Sequence, residues 1–165
     1  ARICGFFGRA SLSILEAKIH TTRHGWALDT FAVHDPADPQ ASYRETIQYV
    51  EFELTRLLEQ RPPLEPPPAG RISRILKHRP LSPQIEIFPD DKGTHYILEV
   101  VAGDRPGLLA RIAYTLAQAN VNVASARINT LGERAEDVFL IDGARLHDEH
   151  ALLRLETALF EQLRV

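Results

Sequence analysis

Two stretches of this chain share residues at a nearly constant spacing. The matches lie at an offset of 109 residues and then, after a turn that is one residue shorter in the second copy, at an offset of 108. The matched pairs are Ala1-Arg2-Ile3 with Ala110-Arg111-Ile112, Ala10, Ala17, Ile19 and Thr21 with Ala119, Ala126, Ile128 and Thr130, and Asp29 and Phe31 with Asp137 and Phe139. Similarity at a fixed offset indicates a duplicated unit. The chain is therefore predicted to contain two copies of one small fold.

A proline-rich segment separates the two copies. Of the eleven prolines, seven lie within Pro62–Pro83. Proline fixes φ and lacks an amide donor, so this segment is predicted to be a semi-rigid extended connector. The boundaries that follow are a first unit at 1–60, a linker at 61–83 and a second unit at 84–165. Four basic residues leave open both a solvated connector and a contact with a polyanion: Arg71, Arg74, Lys77 and Arg79.

The second copy is the more complete one. Its predicted elements are strands at 85–88 and 94–102, a helix opened by Asp104 as N-cap, strands at 122–130 and 134–141, and a final helix at 147–163 with Asp148 as its cap. If the strand at 85–88 is left out, the remaining order is strand, helix, strand, strand, helix. This is the ferredoxin-like order without its last strand. We expect the strand at 84–88 to replace that C-terminal edge strand, because an open edge would expose unpaired backbone groups.

The first copy begins inside its first helix. Its predicted elements are a helix at 1–10, strands at 13–21 and 26–34, and a helix at 42–60 with Ser42 and Glu45 in capping-box spacing. The apolar stripe of that long helix is Tyr43, Ile47, Val50, Leu54, Leu57 and Leu58. The first strand of the unit is not in the sequence, so either residues before Ala1 or another chain completes the sheet. Since Ala1 is followed at once by an apolar stretch, we expect a piece of a longer protein.

The predicted fold class is therefore α+β, with two ferredoxin-like units that have antiparallel sheets and helices on one face, the first lacking its N-terminal strand. A net charge of −3 argues against a nucleic-acid binder. The sheet offers only Tyr96 and Phe139 as aromatics for RNA stacking. Apolar runs are too short to cross a membrane. Cys4 is the only cysteine, which fits a cytoplasmic protein without internal disulfides.

The sequence shows no catalytic constellation. The only pair with a spacing typical of metal ligands is His147 and His150, which lie three residues apart at the start of a helix. A metal site needs a third or fourth ligand, which the sequence does not place. A solvated helix entry is the ordinary interpretation, and a small metal hydrolase is the alternative. We therefore predict no catalytic residue, no metal ligand and no cofactor in these 165 residues.

The loop from Gly103 to Leu108 is the one feature that suggests a ligand. Its glycines leave the backbone accessible, and amides at a helix N-terminus attract a carboxylate through their unpaired donors and the helix dipole. An amino acid offers such a carboxylate. The alternative is a tight strand-to-helix turn without a ligand.

These residues resemble the signature of ACT domains, which sense amino acids. The relevant segments are VVAGDRPGLLA at 100–110 and NVNVASARI at 120–128. More narrowly, AKIHTTRHGWALDTF at 17–31, LKHRP at 76–80 and GERAEDVF at 132–139 are similar to the tandem ACT region that ends the bifunctional protein-PII uridylyltransferase/uridylyl-removing enzymes. The resemblance covers essentially the whole chain.

The resemblance implies the regulatory region of a nitrogen sensor. In that family a nucleotidyltransferase domain transfers UMP from UTP to the PII protein when glutamine is scarce, and a metal-dependent HD hydrolase domain removes it when glutamine is plentiful. Catalytic residues and magnesium are expected in those other domains. A stand-alone tandem ACT regulator of metabolism or transcription, with no enzyme attached, is the alternative.

The resemblance also implies a site for the effector, which would be glutamine. The ligand would lie where the loop after the first strand of one ACT unit faces the second strand of another, in the same chain or across a dimer. The implied positions are Asp104, Arg105, Pro106, Gly107 and Leu108, with Asn122 as a side-chain amide partner. In the first copy the counterpart of Asn122 is Ser13, and the loop is missing.

Overall fold

The fold is an antiparallel sheet with helices packed on one face. We describe it from a computed structural model that covers residues 1–22, 24–35, 43–67, 78, 80–144 and 146–164. Its elements are α1 (Arg2–Arg9), β1 (Ser13–Thr21), β2 (Ala27–His34), α2 (Tyr43–Gln60), β3 (Gln84–Pro89), β4 (Tyr96–Gly103), α3 (Leu108–Gln118), β5 (Asn122–Leu131), β6 (Arg134–Asp142) and α4 (Glu149–Leu163). The predicted α+β class is confirmed.

All the strands join one continuous sheet, in the order β2-β1-β5-β6-β4-β3. Within the second copy, β4 pairs with β6 and β6 pairs with β5, all antiparallel. The strand β3 pairs antiparallel with β4, from Gln84 opposite Val101 to Pro89 opposite Tyr96, and occupies the sheet edge. Because a short turn joins β3 to β4, β3 covers the free backbone groups of β4 at little entropic cost.

The two copies are joined edge to edge through their second strands. β1 pairs antiparallel with β5 over Glu16 opposite Asn129 to His20 opposite Ser125. The sequence left open whether the units pair within one chain or between chains, and in this structure the two copies pair within the chain. The two copies therefore share a backbone hydrogen-bond ladder as well as side-chain contacts.

The core lies between the inward face of the sheet and the helices. Alternate residues of the strands point inward, which is why Leu98, Ile141 and Phe139 meet Ile112 of α3 and Leu159 of α4. Each is at most 3% exposed, and burying a side chain of this size contributes about 1.5 to 3 kcal/mol. The helix α1 packs against α3, so the helical layer also spans both copies.

Only part of the apolar stripe of the long helix α2 is buried. Val50, Leu54 and Leu57 contact a small cluster of α1 side chains around Phe6 and Phe7, as the predicted stripe requires. Ile47 and Leu58 belong to the same stripe but are 59% and 48% exposed, so the stripe is only partly covered, as is expected for a copy that lacks its first strand. The reason is geometric, because α2 meets α1 at a narrow line of contact. Ser42 and the side chain of Tyr43 lie outside the described residues.

Much of the connector also lies outside the described residues, including Arg71, Arg74, Lys77 and Arg79. The proposed unit limits at 1–60, 61–83 and 84–165 therefore stay predictions. None of the described helices is long and apolar enough to cross a membrane.

Candidate functional site

The loop between β4 and α3 is held by backbone hydrogen bonds at both ends. The amide of Asp104 donates to the carbonyl of Glu133 at 2.9 Å, and the amide of Leu108 donates to the carbonyl of Arg105 at 3.0 Å. The helix begins at Leu108, with Gly107 as its N-cap at φ +81°. This corrects the expectation that Asp104 caps the helix, because the left-handed turn at Gly107 sets the start three residues later. Asp148 does cap α4, accepting from the amide of His150.

The loop faces the first copy across a small cavity of about 30 Å³. All five predicted loop residues line it: Asp104, Arg105, Pro106, Gly107 and Leu108. On the other side lie Gly8 of α1 and Ser13 at the start of β1. A side chain at Gly8 would begin 3.7 Å from the Cα of Gly107, so the glycine lets α1 approach the loop closely. The cavity therefore lies between the two copies.

Arg105 anchors the loop to the last helix. Its side chain is 9% exposed, and Nη2 donates to the carbonyl of Gln162 at 2.9 Å while Nη1 donates to that of Arg164 at 3.5 Å. These carbonyls lie at the C-terminus of α4, where a positive charge is favourable. We conclude that Arg105 fixes the position of the loop and directs its charge toward α4.

Two carboxyl groups also line the cavity, one of them buried (Asp137) and the other partly buried (Asp104). Asp137 is 2% exposed, and its Oδ1 accepts from the amide of Asn129 at 3.3 Å. Burial, together with the nearby charge of Asp104, raises the pKa of Asp137 to about 7. Burial also raises the pKa of Asp104, with Glu133 adding to the effect. A positively charged group entering the cavity would favour the ionised form of both.

Sequence reasoning did not place Asp137 in the site. The signal was present, since Asp137 is the second-copy counterpart of Asp29 in the internal repeat. An aspartate among the core-facing residues in the middle of a strand is unusual unless it is paired or functional. The repeat shows that the position is acidic in both copies.

The structure does not bring Asn122 to the loop. Its Nδ2 donates to Oδ2 of Asp142 at 3.3 Å, and it is absent from the cavity lining, since β5 begins at the opposite end of the sheet from Gly103. Its first-copy counterpart Ser13 lies opposite the loop instead. Because the copies pair through their second strands in antiparallel fashion, the loop of one copy faces the second strand of the other.

The two histidines singled out from the sequence lie at the start of α4. The ring of His147 is beside Tyr96, with 5.9 Å between the ring centroids, and His150 contributes its amide to the helix cap. Over the described part of the chain, no three histidine, cysteine or acidic side chains are grouped so that they could hold a metal ion.

Comparison with known proteins finds one matching family and several similar enzymes. The ACT domain family matches residues 96–160. The chain is 56% identical over its whole length to a bifunctional uridylyltransferase/uridylyl-removing enzyme of Chromobacterium violaceum, and it covers 19% of that protein. The enzymes of the same name from Ralstonia nicotianae and Nitrosospira multiformis are 51% and 49% identical over 100% and 99% of the chain, which covers 20% and 18% of them.

The chain thus spans about a fifth of the length of the relatives that it matches, and the matched part is their C-terminal region. No solved structure matches it. The matches extend through both copies of the repeat and the connector between them.

Proposed function

Because the chain is related over its whole length to the C-terminal region of bifunctional uridylyltransferase/uridylyl-removing enzymes and contains an ACT domain, we propose that it is the effector-sensing region of such an enzyme. The observation that carries the proposal is the cavity between the loop at 104–108 and the α1–β1 segment of the other copy. The proposed effector is an amino acid, and the resemblance of the sequence favours glutamine.

The cavity has the chemistry to recognise an amino acid at both of its charged groups. Amides in the first turn of α3 suit the α-carboxylate, because the first N–H groups of a helix have no partner within it. Asp137 and Asp104 suit the α-ammonium group. Ser13 adds a hydroxyl from the first copy, which can donate to or accept from the side-chain amide of glutamine.

The volume of the cavity suggests how binding is coupled to regulation. About 30 Å³ holds two or three water molecules, whereas ligand sites are typically about 300 Å³ or larger. An amino acid can enter only if α1 and the start of β1 move away from the loop. The effector would therefore select an arrangement of the two copies that differs from the one described here.

This rearrangement would bias the catalytic domains of the longer protein. An effector that binds one arrangement more tightly shifts the population toward it, and a coupling of about 1 to 3 kcal/mol changes an equilibrium 5-fold to 150-fold. With glutamine bound, removal of UMP from the PII protein would be favoured over its transfer from UTP. Magnesium would serve the catalytic domains and has no proposed role in this chain.

The test is calorimetric titration of the chain with glutamine, with glutamate as the chemical control. We expect binding of glutamine and weaker binding of glutamate. Gly107→Val should weaken glutamine binding at least about tenfold, since a β-branched residue strains a left-handed backbone and obstructs the first-turn amides. Gly93→Val is the matched control, because Gly93 also has φ +64° but lies in the β3–β4 turn with open space around it. Absence of glutamine binding to the wild-type chain would contradict the proposal.

A further inference from the structure

Two acidic side chains face the small cavity between the copies, and within the described ranges no cation is paired with them. Asp104 and Asp137 both line this cavity of about 30 Å³. Among the described residues, no ion pair includes either of them. Arg105 also lines the cavity, but both of its terminal nitrogens donate to carbonyls at the C-terminus of α4. A buried carboxylate in such a place has to be neutralised in another way.

A proton on Asp137 supplies that neutralisation. The side chain is 2% exposed, and its hydrogen bond from the amide of Asn129 is long, at 3.3 Å. Ionising a carboxyl group away from water is costly when a single long hydrogen bond compensates for it. Burial raises the pKa of Asp137 to about 7, and the charge of Asp104 adds to this effect. Near neutral pH, the group therefore holds a proton in about half of the molecules.

The elements β4, β5 and α1 present neutral groups to Asp137. On β4 it is paired with Val100, and from β5 it receives the amide of Asn129. On α1, Cys4 lines the same cavity, and burial raises the pKa of its thiol, which keeps the thiol protonated. None of these groups competes with Asp137 for the proton.

The loop at 104–108 presents one charge of each sign. Burial raises the pKa of Asp104, and Glu133 adds to this effect. The amide of Arg105 and the charge of His34 oppose it. Burial lowers the pKa of Arg105, but a guanidinium group stays protonated at neutral pH. Asp104 is less buried than Asp137, so Asp137 is the member of the pair that keeps the proton.

We infer that the effector binds in exchange for a proton, because its α-ammonium group takes the place of the proton that Asp137 holds in the arrangement described here. The inference rests on the proposed function, since it takes an amino acid as the ligand. The proton passes from the carboxyl group of Asp137 to the buffer. The negative charge that this leaves on Asp137 is paired with the ammonium group as it forms.

The exchange makes effector affinity depend on pH. Because the ionised form of Asp137 binds the ammonium group, the affinity rises with pH until Asp137 is ionised without a ligand. The ammonium group of glutamine keeps its charge over this range. One group that titrates near pH 7 predicts about a tenfold rise in affinity from about pH 6 to about pH 8. The sensory region would therefore respond to less glutamine at higher pH.

The test is calorimetric titration of the chain with glutamine at about pH 6, 7 and 8, each in phosphate and in imidazole buffer. These buffers have a small and a large ionisation enthalpy, so the difference in heat gives the number of protons released. We expect about 0.9 proton per glutamine at about pH 6, about half a proton at about pH 7 and about 0.1 at about pH 8.

Three variants identify the group that supplies the proton. Asp137→Asn has no proton to exchange, so the release should fall to near zero and the affinity should no longer rise with pH. Asp29→Asn is the matched control, because it makes the same change at the equivalent position of the first copy, outside this cavity, and it should keep the wild-type release. Asp104→Asn removes the neighbouring charge and should move the midpoint of the affinity rise to lower pH.

The outcomes separate this inference from the proposed function. Glutamine binding without proton release at about pH 6 would overturn the inference alone, whereas absence of binding at every pH would overturn both. Equal release by the wild-type chain and Asp137→Asn would assign the proton to another group and would also overturn it. If Asp137→Asn binds too weakly for calorimetry, an unshifted midpoint in Asp104→Asn contradicts the inference. Circular dichroism should show that all variants are folded.

Discussion

The two copies of the repeat place the same residues in different surroundings. Asp137 and Phe139 on β6 are 2% and 3% exposed, whereas their counterparts Asp29 and Phe31 on β2 are only partly buried. Both carboxyl groups have a main-chain hydrogen bond at equivalent positions, from Asn129 to Asp137 and from its counterpart His20 to Asp29, but Oδ1 of Asp29 is buried without a hydrogen bond. The difference follows from the neighbours, because β6 lies between β5 and β4 and β2 is at the edge of the described sheet.

The helices of the two copies differ in the same way. On α4, Leu155, Leu159 and Leu163 are at most 3% exposed, since this helix packs on α3 and on β3. On α2, Phe52 is 66% exposed and Ile47 59% exposed. Contact with both β3 and α3 is what buries the apolar side of α4. The comparison teaches that a repeated pattern specifies which side of an element is apolar, while the neighbouring strands decide how deeply that side is buried.

The largest expected effect concerns Phe139 and Phe31, which occupy equivalent positions in the two copies. Phe139→Ala should lower the free energy of unfolding by about 3 to 5 kcal/mol, because it leaves a cavity in the core. Phe31→Ala should cost about 1 to 2 kcal/mol, since Phe31 removes less area from water. Urea denaturation of both variants measures the difference. Equal losses at the two sites would contradict the described difference in burial.

The paired aspartates should differ in the pH dependence of stability. The pKa of Asp137 is raised to about 7 from an ordinary value of 3.8, so the folded chain holds a proton that the unfolded chain has released. This bound proton stabilises the folded chain fully below about pH 4. The stabilisation is lost as the pH rises through 7, which lowers the free energy of unfolding by about 4 kcal/mol. Asp137→Asn stays neutral and should remove the decline.

Asp29→Asn is the matched control for that experiment. Burial raises the pKa of Asp29 as well, but the side chain is more exposed, so the substitution should flatten the profile less. Unfolding by urea from about pH 4 to about pH 8 covers the window in which the two variants separate. A wild-type profile that Asp137→Asn leaves unchanged would show that this carboxyl ionises in the folded chain as it does in the unfolded one.

A smaller effect is expected from the counterparts Ser13 and Asn122. Ser13→Ala should weaken glutamine binding about 3-fold to 10-fold, which corresponds to the loss of one hydrogen bond. Asn122→Ala should leave the affinity unchanged, because Asn122 contacts Asp142 rather than the loop cavity. Calorimetry on both variants measures the two affinities. The opposite order would place the effector at the other end of the sheet.

The smallest expected effect is a difference in amide protection between the edge strand β2 and the central strand β6. Amides of β2 that point away from β1 have no strand beside them in the described sheet, whereas β6 is paired on both sides. Hydrogen exchange should therefore show alternating protection along β2 and continuous protection along β6. Continuous protection of β2 in the isolated chain would mean that another strand pairs with its outer edge.

The order of elements could be predicted from the sequence because it depends on local signals. Alternation of apolar residues identified the strands, and the turn residues around Gly93 and Gly132 identified both hairpins of the second copy. The loop at 103–108 was found for the same reason, since Gly103, Pro106 and Gly107 lie within five residues and indicate a turn. The start of α3 at Leu108 was missed by a few positions, because Asp104 has the composition of a cap while the backbone turns at Gly107.

The contact between the copies could not be predicted in the same way. The family resemblance implied that the loop of one unit faces the second strand of another, within a chain or between chains. The residues of β1 did not identify β5 as its neighbour, because strand edges pair through backbone groups that are alike in every sequence. That pairing places Ser13 rather than Asn122 opposite the loop and puts Asp137 in the cavity wall. The sequence named Ser13 as the counterpart of Asn122, but the choice between these two residues for this loop required the tertiary structure.

The most direct test of the central claim locks the closed arrangement with a disulfide. A Cβ at Gly8 would lie 3.7 Å from the Cβ of Ala110, which suits a disulfide between Gly8→Cys and Ala110→Cys. Cys4 is buried, and burial raises the pKa of its thiol, so it should not compete. The account predicts that the reduced variant binds glutamine in calorimetry and that the oxidised variant loses at least about 90% of its affinity. Equal affinity in the two states would show that the effector binds without separating α1 from the loop, and would contradict the proposed site.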